Sequence, residues 1–545
     1  MKRLALYITT GVMILASSCS DFLDTAPKDA LSPATAWSTE LDVEKFLVGC
    51  YDEWVKGSDL LYWDCASDFG YNNFPWEGWT VMGDGSLTPA NYGTKFYNFK
   101  TIRRCNTLLE NVDKVVFLDE AKKKDIIAQT RAIRAYSYAI LNFWYGGVPI
   151  IDSYESAQEA QVPRDTEENV KKFIYDEIDA AIVDINTTPK ARGYVAKGAA
   201  LAIKMRTALY WGDHERAASA SKAIMDLGQY DLNPDYANLF TLSGQTSNEI
   251  ILASQYLEVL KKLGTIGQMY NNADGGWSSI VPTQNLVDAY EMIDGKTKEE
   301  SDLYDPKYPF NQRDPRMEMT VLFPGQDWQP KGKESQILNT LDQVLPDGSS
   351  NSNFPTVADN ASKTALTWAK YLAPMDQYSD IWNTSASPII FRYAEVLLSY
   401  AEANNEMNGP AADVYEALDK VRVRAGMPVV DRAKYATKET LRELIRRERG
   451  VELAGEGVRR ADIVRWKDAN GKMVAETVMN GDLLRVVGHI DYKETNPYKR
   501  AVINTAASQT DRKIETRKFA PYNRYLPIPQ SSKDKNPKIN QNPGY

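Results

Sequence analysis

Histidine is nearly absent from this chain, with only His214 and His489 in 545 residues. Cysteine is scarce too, at positions 19, 50, 65 and 105, and no HExxH, CxxC, GxSxG or Walker loop occurs. A zinc hydrolase, a thiol redox centre, a nucleophile-elbow hydrolase and a phosphate-cradling NTPase therefore lack their residues at the required spacing. After Cys19, an odd number of cysteines (Cys50, Cys65, Cys105) excludes a complete disulfide framework. One bridge stays open, and buried free thiols are the simpler reading. Long apolar runs are also lacking: Leu4–Ala16 is the clearest, and it is too short to cross a bilayer. Basic residues are outnumbered, 64 Lys and Arg against 73 Asp and Glu, for a net charge of −9. An acidic chain is ill suited to a polyanionic partner, so nucleic acid is not expected. Carboxylates are plentiful enough to keep a glycosidase pair open by count alone, but nothing marks any two as partners. No catalytic residue, metal ligand or cofactor motif is assigned.

What is present begins with Met1, Lys2 and Arg3, a positive start followed by the apolar stretch, then Ser17, Ser18 and Cys19. That order is expected of a secretory signal over residues 1–18. Small residues directly before a cysteine resemble a bacterial lipobox, which would make Cys19 the site of lipidation. Several acyl chains anchor a protein stably where one would not, so the chain is expected on a membrane, not within it. The remainder, 43% hydrophobic and 25% charged, has the balance of a globular protein.

Most of the periodicity is helical. Asp42–Trp54 places Val43, Phe46, Leu47, Tyr51 and Trp54 at helical spacing, and another helix is expected from near Phe96 through Val115. Ile126–Tyr145 follows, ending at Gly146-Gly147, and Thr166 is placed to cap the next helix. Lys197–Trp211 and Glu215–Leu227 read as a hairpin in which Gly212 turns the chain and small alanines permit close helix approach, as in a tetratricopeptide unit. Further pairs are expected at Pro388–Met407 with Asp413–Ala425, and at Lys438–Gly455, with short strands at Ile389–Phe391 and Arg524–Ile528. The expected fold is mainly α, a tetratricopeptide-like scaffold of helical pairs over roughly 38–250 and 388–466, with long loop-rich insertions, a few short strands and a C-terminal segment over 467–545. The insertions, roughly 58–98 and 264–387, are long and aperiodic, and such loops usually carry function.

Trp63, Phe69, Tyr71, Phe74, Trp76 and Trp79 fall within 17 residues, interleaved with Gly, Asn, Asp and Glu. No helical or strand period buries all six together. An exposed aromatic platform flanked by amides and carboxylates suits sugars, whose C–H faces stack on rings while hydroxyls hydrogen-bond. The candidate ligand contacts are Trp63, Tyr71, Asn73, Trp76 and Trp79 in the first loop, with Asn272, Asp274, Trp277 and Trp328 in the second. Tyr270, Asn271, Trp368, Tyr378 and Trp382 extend the same mixture. In the Arg446–Trp466 segment, Glu443 with Arg447, Arg449 with Glu452, and Glu456 with Arg460 stand at three- or four-residue spacing, read as ion pairs holding the fold.

Several segments resemble one family in order along the chain: DFLDTAP (Asp21–Pro27), RAIRAYSYAILNFWYGGVP (Arg131–Pro149), TQNLVDAYEMIDG (Thr283–Gly295), FRYAEVLLSYAEANN (Phe391–Asn405), VRVRAGMP (Val421–Pro428), RRERGVELAGEGVRRADIVRW (Arg446–Trp466) and the ending YLPIPQSSKDKNPKINQNPGY (Tyr525–Tyr545). All are similar to SusD/RagB proteins. The resemblance implies four tetratricopeptide-like units with a loop-built ligand face. It implies a lipid-anchored position at the outer membrane of Bacteroidota, facing the exterior, as the partner of a SusC-like TonB-dependent transporter. It also implies binding of oligo- or polysaccharides without cleavage. Some relatives bind peptides, so a RagB-like peptide-capture protein is the alternative, with a helical glycosidase a more distant one.

Overall fold

The computed structural model describes residues 37–545 except 53, 94–95, 154–155 and 157, so Cys19 and the expected signal lie outside the described residues. The architecture is mainly helical. In chain order the principal helices are α1 (Glu40–Tyr51), α2 (Lys100–Asn111), α3 (Glu120–Tyr145), α4 (Glu167–Asp184), α5 (Lys197–Trp211), α6 (His214–Asp226), α7 (Tyr393–Asn408), α8 (Ala412–Arg424), α9 (Lys438–Glu452) and α10 (Arg459–Arg465). α3 packs on α4, α5 on α6, α6 on α7, and α7 on both α8 and α9, so each helical pair shares its apolar face with the next.

Local chemistry explains many of the boundaries. Thr39 and Asp42 exchange the reciprocal bonds of a capping box at the start of α1. Thr166 caps α4 as its position predicts, its hydroxyl accepting from the Asn169 amide at 3.1 Å. Gly212 turns the chain between α5 and α6 at φ +76°, a conformation open to glycine, and Asp213 then caps α6 by accepting from the Arg216 amide. Ala199, Ala200, Ala208, Ala217 and Ala220 are buried along this hairpin, letting the two backbones approach. The three described cysteines are buried free thiols.

Several boundaries differ from the sequence expectation, among them the helix expected from Ile126, which begins at Glu120. The helix expected from near Phe96 begins at Lys100, and the one expected from Pro388 begins at Tyr393. The latter starts late because Ile389–Arg392 forms a strand, which pairs antiparallel with Ile250–Ala253. No strand forms at Arg524–Ile528: the turn Pro521–Arg524 leads into an extended chain whose Leu526 amide bonds the Trp144 carbonyl at 2.7 Å, a helix end and not a neighbouring strand.

The charged motif also pairs differently. Most of its partners are buried and come from other segments; Glu443 with Arg446 and Asp462 with Arg465 are its pairs at helical spacing. Arg392 donates to Glu249 (2.7 Å), Glu452 (2.6 Å) and Glu456 (2.7 Å), while Glu452 also takes bonds from Arg316 (2.9 Å) and Arg424. Arg447 pairs with Glu291, Arg449 with Asp462, and Glu456 additionally with Lys370. Arg460 donates to the carbonyls of Ala66 and Asn523, tying α10 to the first loop insertion and to the C-terminal segment. A ladder of i,i+4 pairs would put these charges in water. Here each guanidinium instead satisfies several acceptors in the core, where an unpaired charge is expensive.

Candidate functional site

Two strands bring the loop insertions together. With β2 (Ile250–Ala253) between them in the chain, β1 (Gly70–Asn72) runs antiparallel to β3 (Ile280–Pro282), Asn72 opposite Ile280. The pairing continues one step further, Asn73 N donating to Ser279 O at 2.9 Å, with Asn72 Nδ2 on the same carbonyl at 2.9 Å. The chain leaving β1 and the chain entering β3 therefore emerge at one end of the ladder. One carries Trp76 and the other Trp277.

These two indoles are exposed, Trp76 at 79% and Trp277 at 44%. Each rests on a second ring: Trp76 stacks on Phe74 (4.7 Å between centroids, 26°), and Trp277 leans on Trp382 (4.6 Å, 55°). Gly267 makes room for Trp382, since a Cβ there would lie 2.5 Å from the indole. Backing by a second ring holds each exposed indole in place and lowers the entropy a ligand must remove on binding.

The other candidates divide by burial. Trp63 and Trp79 of the first loop and Trp328 of the second belong to the core, which corrects their assignment to an exposed platform. Trp63 meets Trp144 and Phe96 edge-on, Trp79 stacks on Tyr62 (5.6 Å, 16°), and Trp328 lies beside Tyr270 (6.3 Å). Phe69, Phe74, Trp368 and Tyr378 are buried as well. No single period predicts this because the rings occupy short turns that fold inward separately. Tyr71 is half-buried beside Glu515, and burial pushes its phenol above the ordinary tyrosine value.

The polar candidates latch loop to loop. Asn73 is buried, donating to Ala361 O at 2.9 Å and accepting from the Lys363 amide at 3.3 Å. Asn272 Nδ2 donates to Ser352 O at 3.0 Å, and the Ala273 amide to Asn353 Oδ1 at 2.9 Å. Asp274 Oδ2 accepts the Trp328 indole N–H at 2.8 Å, while its Oδ1 is buried without a partner. The amides expected to meet sugar hydroxyls thus spend these bonds on loop geometry.

Burial raises the Asp274 carboxyl to about 6, opposed by the bond from Trp328. Because the folded value lies above the unfolded one, the contribution to stability is fully present below about pH 4 and is lost as pH rises through about 6. Asp274→Asn keeps an acceptor for Trp328 and removes the titration. Urea unfolding of both proteins from pH 4 to 8 should show wild type losing about 1–2 kcal/mol relative to the variant. Parallel pH profiles would refute the assignment.

A cleft of about 590 Å³ adjoins these loops. Phe354, Pro355, Val486, Val487, Val502 and Ile503 line it, together with Arg485 and His489. Val502, Ile503 and His489 lie on the antiparallel pair Gly488–Ile490 and Ala501–Ile503, and Val486 and Val487 on the chain leading into it. Asn353 holds Ala273, and Lys363 bonds both Pro355 O (3.0 Å) and Asn73 Oδ1, so the cleft and the tryptophan-bearing loops form one surface. Phe354 and Pro355 fall in the insertion over 264–387, whereas sequence reasoning gives the residues of the 467–545 segment no role. Their only signal was two short β-branched runs around Val486 and Val502. Among the described residues, no group of three or more His, Cys, Asp or Glu is arranged to hold a metal ion, and no helix is long and apolar enough to cross a membrane.

Residues 243–545 match the profile of the SusD family, and residues 21–209 match a profile described as starch-binding, associating with outer membrane. A SusD-like protein of Formosa agariphila is 25% identical, the alignment covering 95% of this chain and 94% of that protein. The crystal structure of a SusD-like carbohydrate-binding protein from Bacteroides fragilis superposes with a TM-score of 0.79 at 26% identity, over 93% of this chain and all of that one. A laminarin-binding SusD-like protein shares the fold at a TM-score of 0.64 and 21% identity, covering 93% of this chain and all of its own. With more than half its length matched by that profile and the helical-pair fold in common, this chain belongs to the SusD family.

Proposed function

We propose that this protein captures oligo- or polysaccharides on its loop face without cleaving them. It hands them to a SusC-like TonB-dependent transporter while held to the outer membrane, facing outward, by lipid on Cys19. In this reading residues 1–18 are the signal and 19–545 the binding domain. The observation that carries it is the pair of exposed, ring-backed indoles, Trp76 and Trp277, at one end of the β1–β3 ladder. Indole faces set at fixed positions suit the C–H faces of successive sugar rings, and the adjoining cleft extends the contact. The carbohydrate-binding relatives point to the same ligand class.

Affinity electrophoresis of the purified protein across a polysaccharide panel, with reducing-sugar release followed in parallel, tests this. At least one glycan should retard migration with no sugar released. Release would make the protein a glycosidase. Failure of every glycan would remove the reading, and binding to an extended-peptide library would then establish peptide capture.

A further inference from the structure

A second cleft, of about 450 Å³, is lined by the α5–α6 turn, α9 and the chain following α10. Six cationic side chains line it: Lys171, Arg442, Arg446, Arg465, Lys467 and Arg524. Three carboxylates, Glu402, Glu406 and Asp468, share the lining, and from beside it Glu167 pairs with Lys171 and Arg524, Glu443 with Arg446 and Asp462 with Arg465.

Those carboxylates are already engaged. Glu402 takes both Nη groups of Arg465 (2.5 and 2.7 Å) and the Trp466 indole N–H (2.7 Å). Glu406 takes the Nε and Nη2 of Arg442 (2.5 and 2.7 Å). Asp468 Oδ1 accepts the Asn470 and Lys472 amides (2.8 and 2.9 Å) inside its own turn. Lys171 and Arg524 share Glu167 at 2.6 and 3.7 Å.

Two cations remain. Arg446 donates Nη1 to the Lys467 carbonyl at 3.0 Å, and its nearest carboxylate is the exposed Glu443 at 3.6 Å. Its Nε has no acceptor. Lys467 is exposed and has no ion-pair partner among the described residues. Burial holds the Arg446 guanidinium below its ordinary value, a displacement that a bound anion would reverse. Trp211, Trp466 and His214, the first residue of α6, also line the cleft.

We propose that this cleft binds a tetrahedral oxyanion, phosphate or sulfate, either free or as the monoester of a small molecule. Arg446 and Lys467 supply the charge-assisted bonds, and the lining indoles cover an organic portion. The inference does not rest on glycan capture, which uses other residues.

Isothermal titration of the full chain at constant ionic strength, with inorganic phosphate, inorganic sulfate, glucose 6-phosphate and glucose, tests it. One or more of the anions should bind while glucose does not compete for the cleft. Lys467→Gln and Arg446→Gln should each weaken binding about tenfold or more. Lys467→Gln alters an exposed side chain, so its effect is readable even if Arg446→Gln destabilises the fold. Tighter binding of glucose 6-phosphate than of phosphate assigns the site to an ester; equal or weaker binding assigns it to the free ion. No heat from any anion, or unchanged affinity in both variants, overturns the proposal. Retardation by a glycan should persist in both variants, which separates this site from the loop face.

Discussion

Arg392→Met should lower unfolding stability by about 3–5 kcal/mol, because removing one partner of a buried ion pair leaves its counterpart uncompensated. Arg392 is fully buried and bonds three carboxylates, Glu249, Glu452 and Glu456, as well as the Glu452 carbonyl. It ends the strand Ile389–Arg392, and through it α9 and the turn after α9 are held to the segment around Glu249. Methionine fills much of the volume but leaves those carboxylates short of positive charge, with Lys370, Arg316 and Arg424 to carry the remainder. Lys172→Met is the control: its pair with Asp176 is mostly exposed, and its loss should cost less than about 0.5 kcal/mol. Urea midpoints of the two variants against wild type decide the matter, and an Arg392→Met midpoint equal to that of the control would remove the claim. Acid should attack the same kind of contact. Arg465 and Arg449 outweigh burial to hold Glu402 down to about 2, and Arg424, Arg392 and Arg316 likewise hold Glu452 far below its usual value. These folded values lie below the unfolded one, so the stabilisation is present above about pH 4.5 and fades as pH falls toward 2.

The helical scaffold was legible because its signals are local. Thr166 announces α4 within four residues, and Gly212 followed by Asp213 ends one helix and caps the next. The partners in the charged core were not legible, since Glu249 and Arg392 stand 143 residues apart and no helical spacing relates them. The same limit governs the candidate site. The composition around Trp76 and around Trp277 marked both loops, but their convergence depends on Asn72 pairing with Ile280, a register between segments with little periodicity of their own. Composition likewise does not separate Trp76 from Trp79, three residues apart. The turn at Pro75–Glu77 lifts the first into solvent, and the short helix after Trp79 turns the second onto Tyr62. Asn73 and Asn272 look like sugar-binding amides in sequence because the side chain that meets a hydroxyl is the same one that latches a loop.

That ambiguity among tryptophans is resolved by substituting them one at a time and measuring stability and glycan affinity on the same preparations. Trp328→Ala should cost about 3–5 kcal/mol, the range for truncating a large buried aromatic. It also strips Asp274 of the indole N–H and leaves a buried carboxylate with less compensation. Trp63→Ala should behave similarly, since its ring is wedged against Trp144 and Phe96. Trp76→Ala should change stability by no more than about 0.5 kcal/mol, because most of its indole is already in water. Its affinity for the retained glycan should nevertheless fall about tenfold or more, the loss of about 1.4 kcal/mol expected when a stacking face is removed. Trp277→Ala should lose comparable affinity at a modest stability cost, as Trp382 then loses the ring that leans on it. Affinity lost only in step with stability would show that these rings maintain the fold and nothing more. If Trp76→Ala and Trp277→Ala both retain wild-type affinity while a glycan still binds, the ladder end is not the platform. The contact then moves to the cleft lined by Phe354, and Phe354→Ala would be the variant to lose binding.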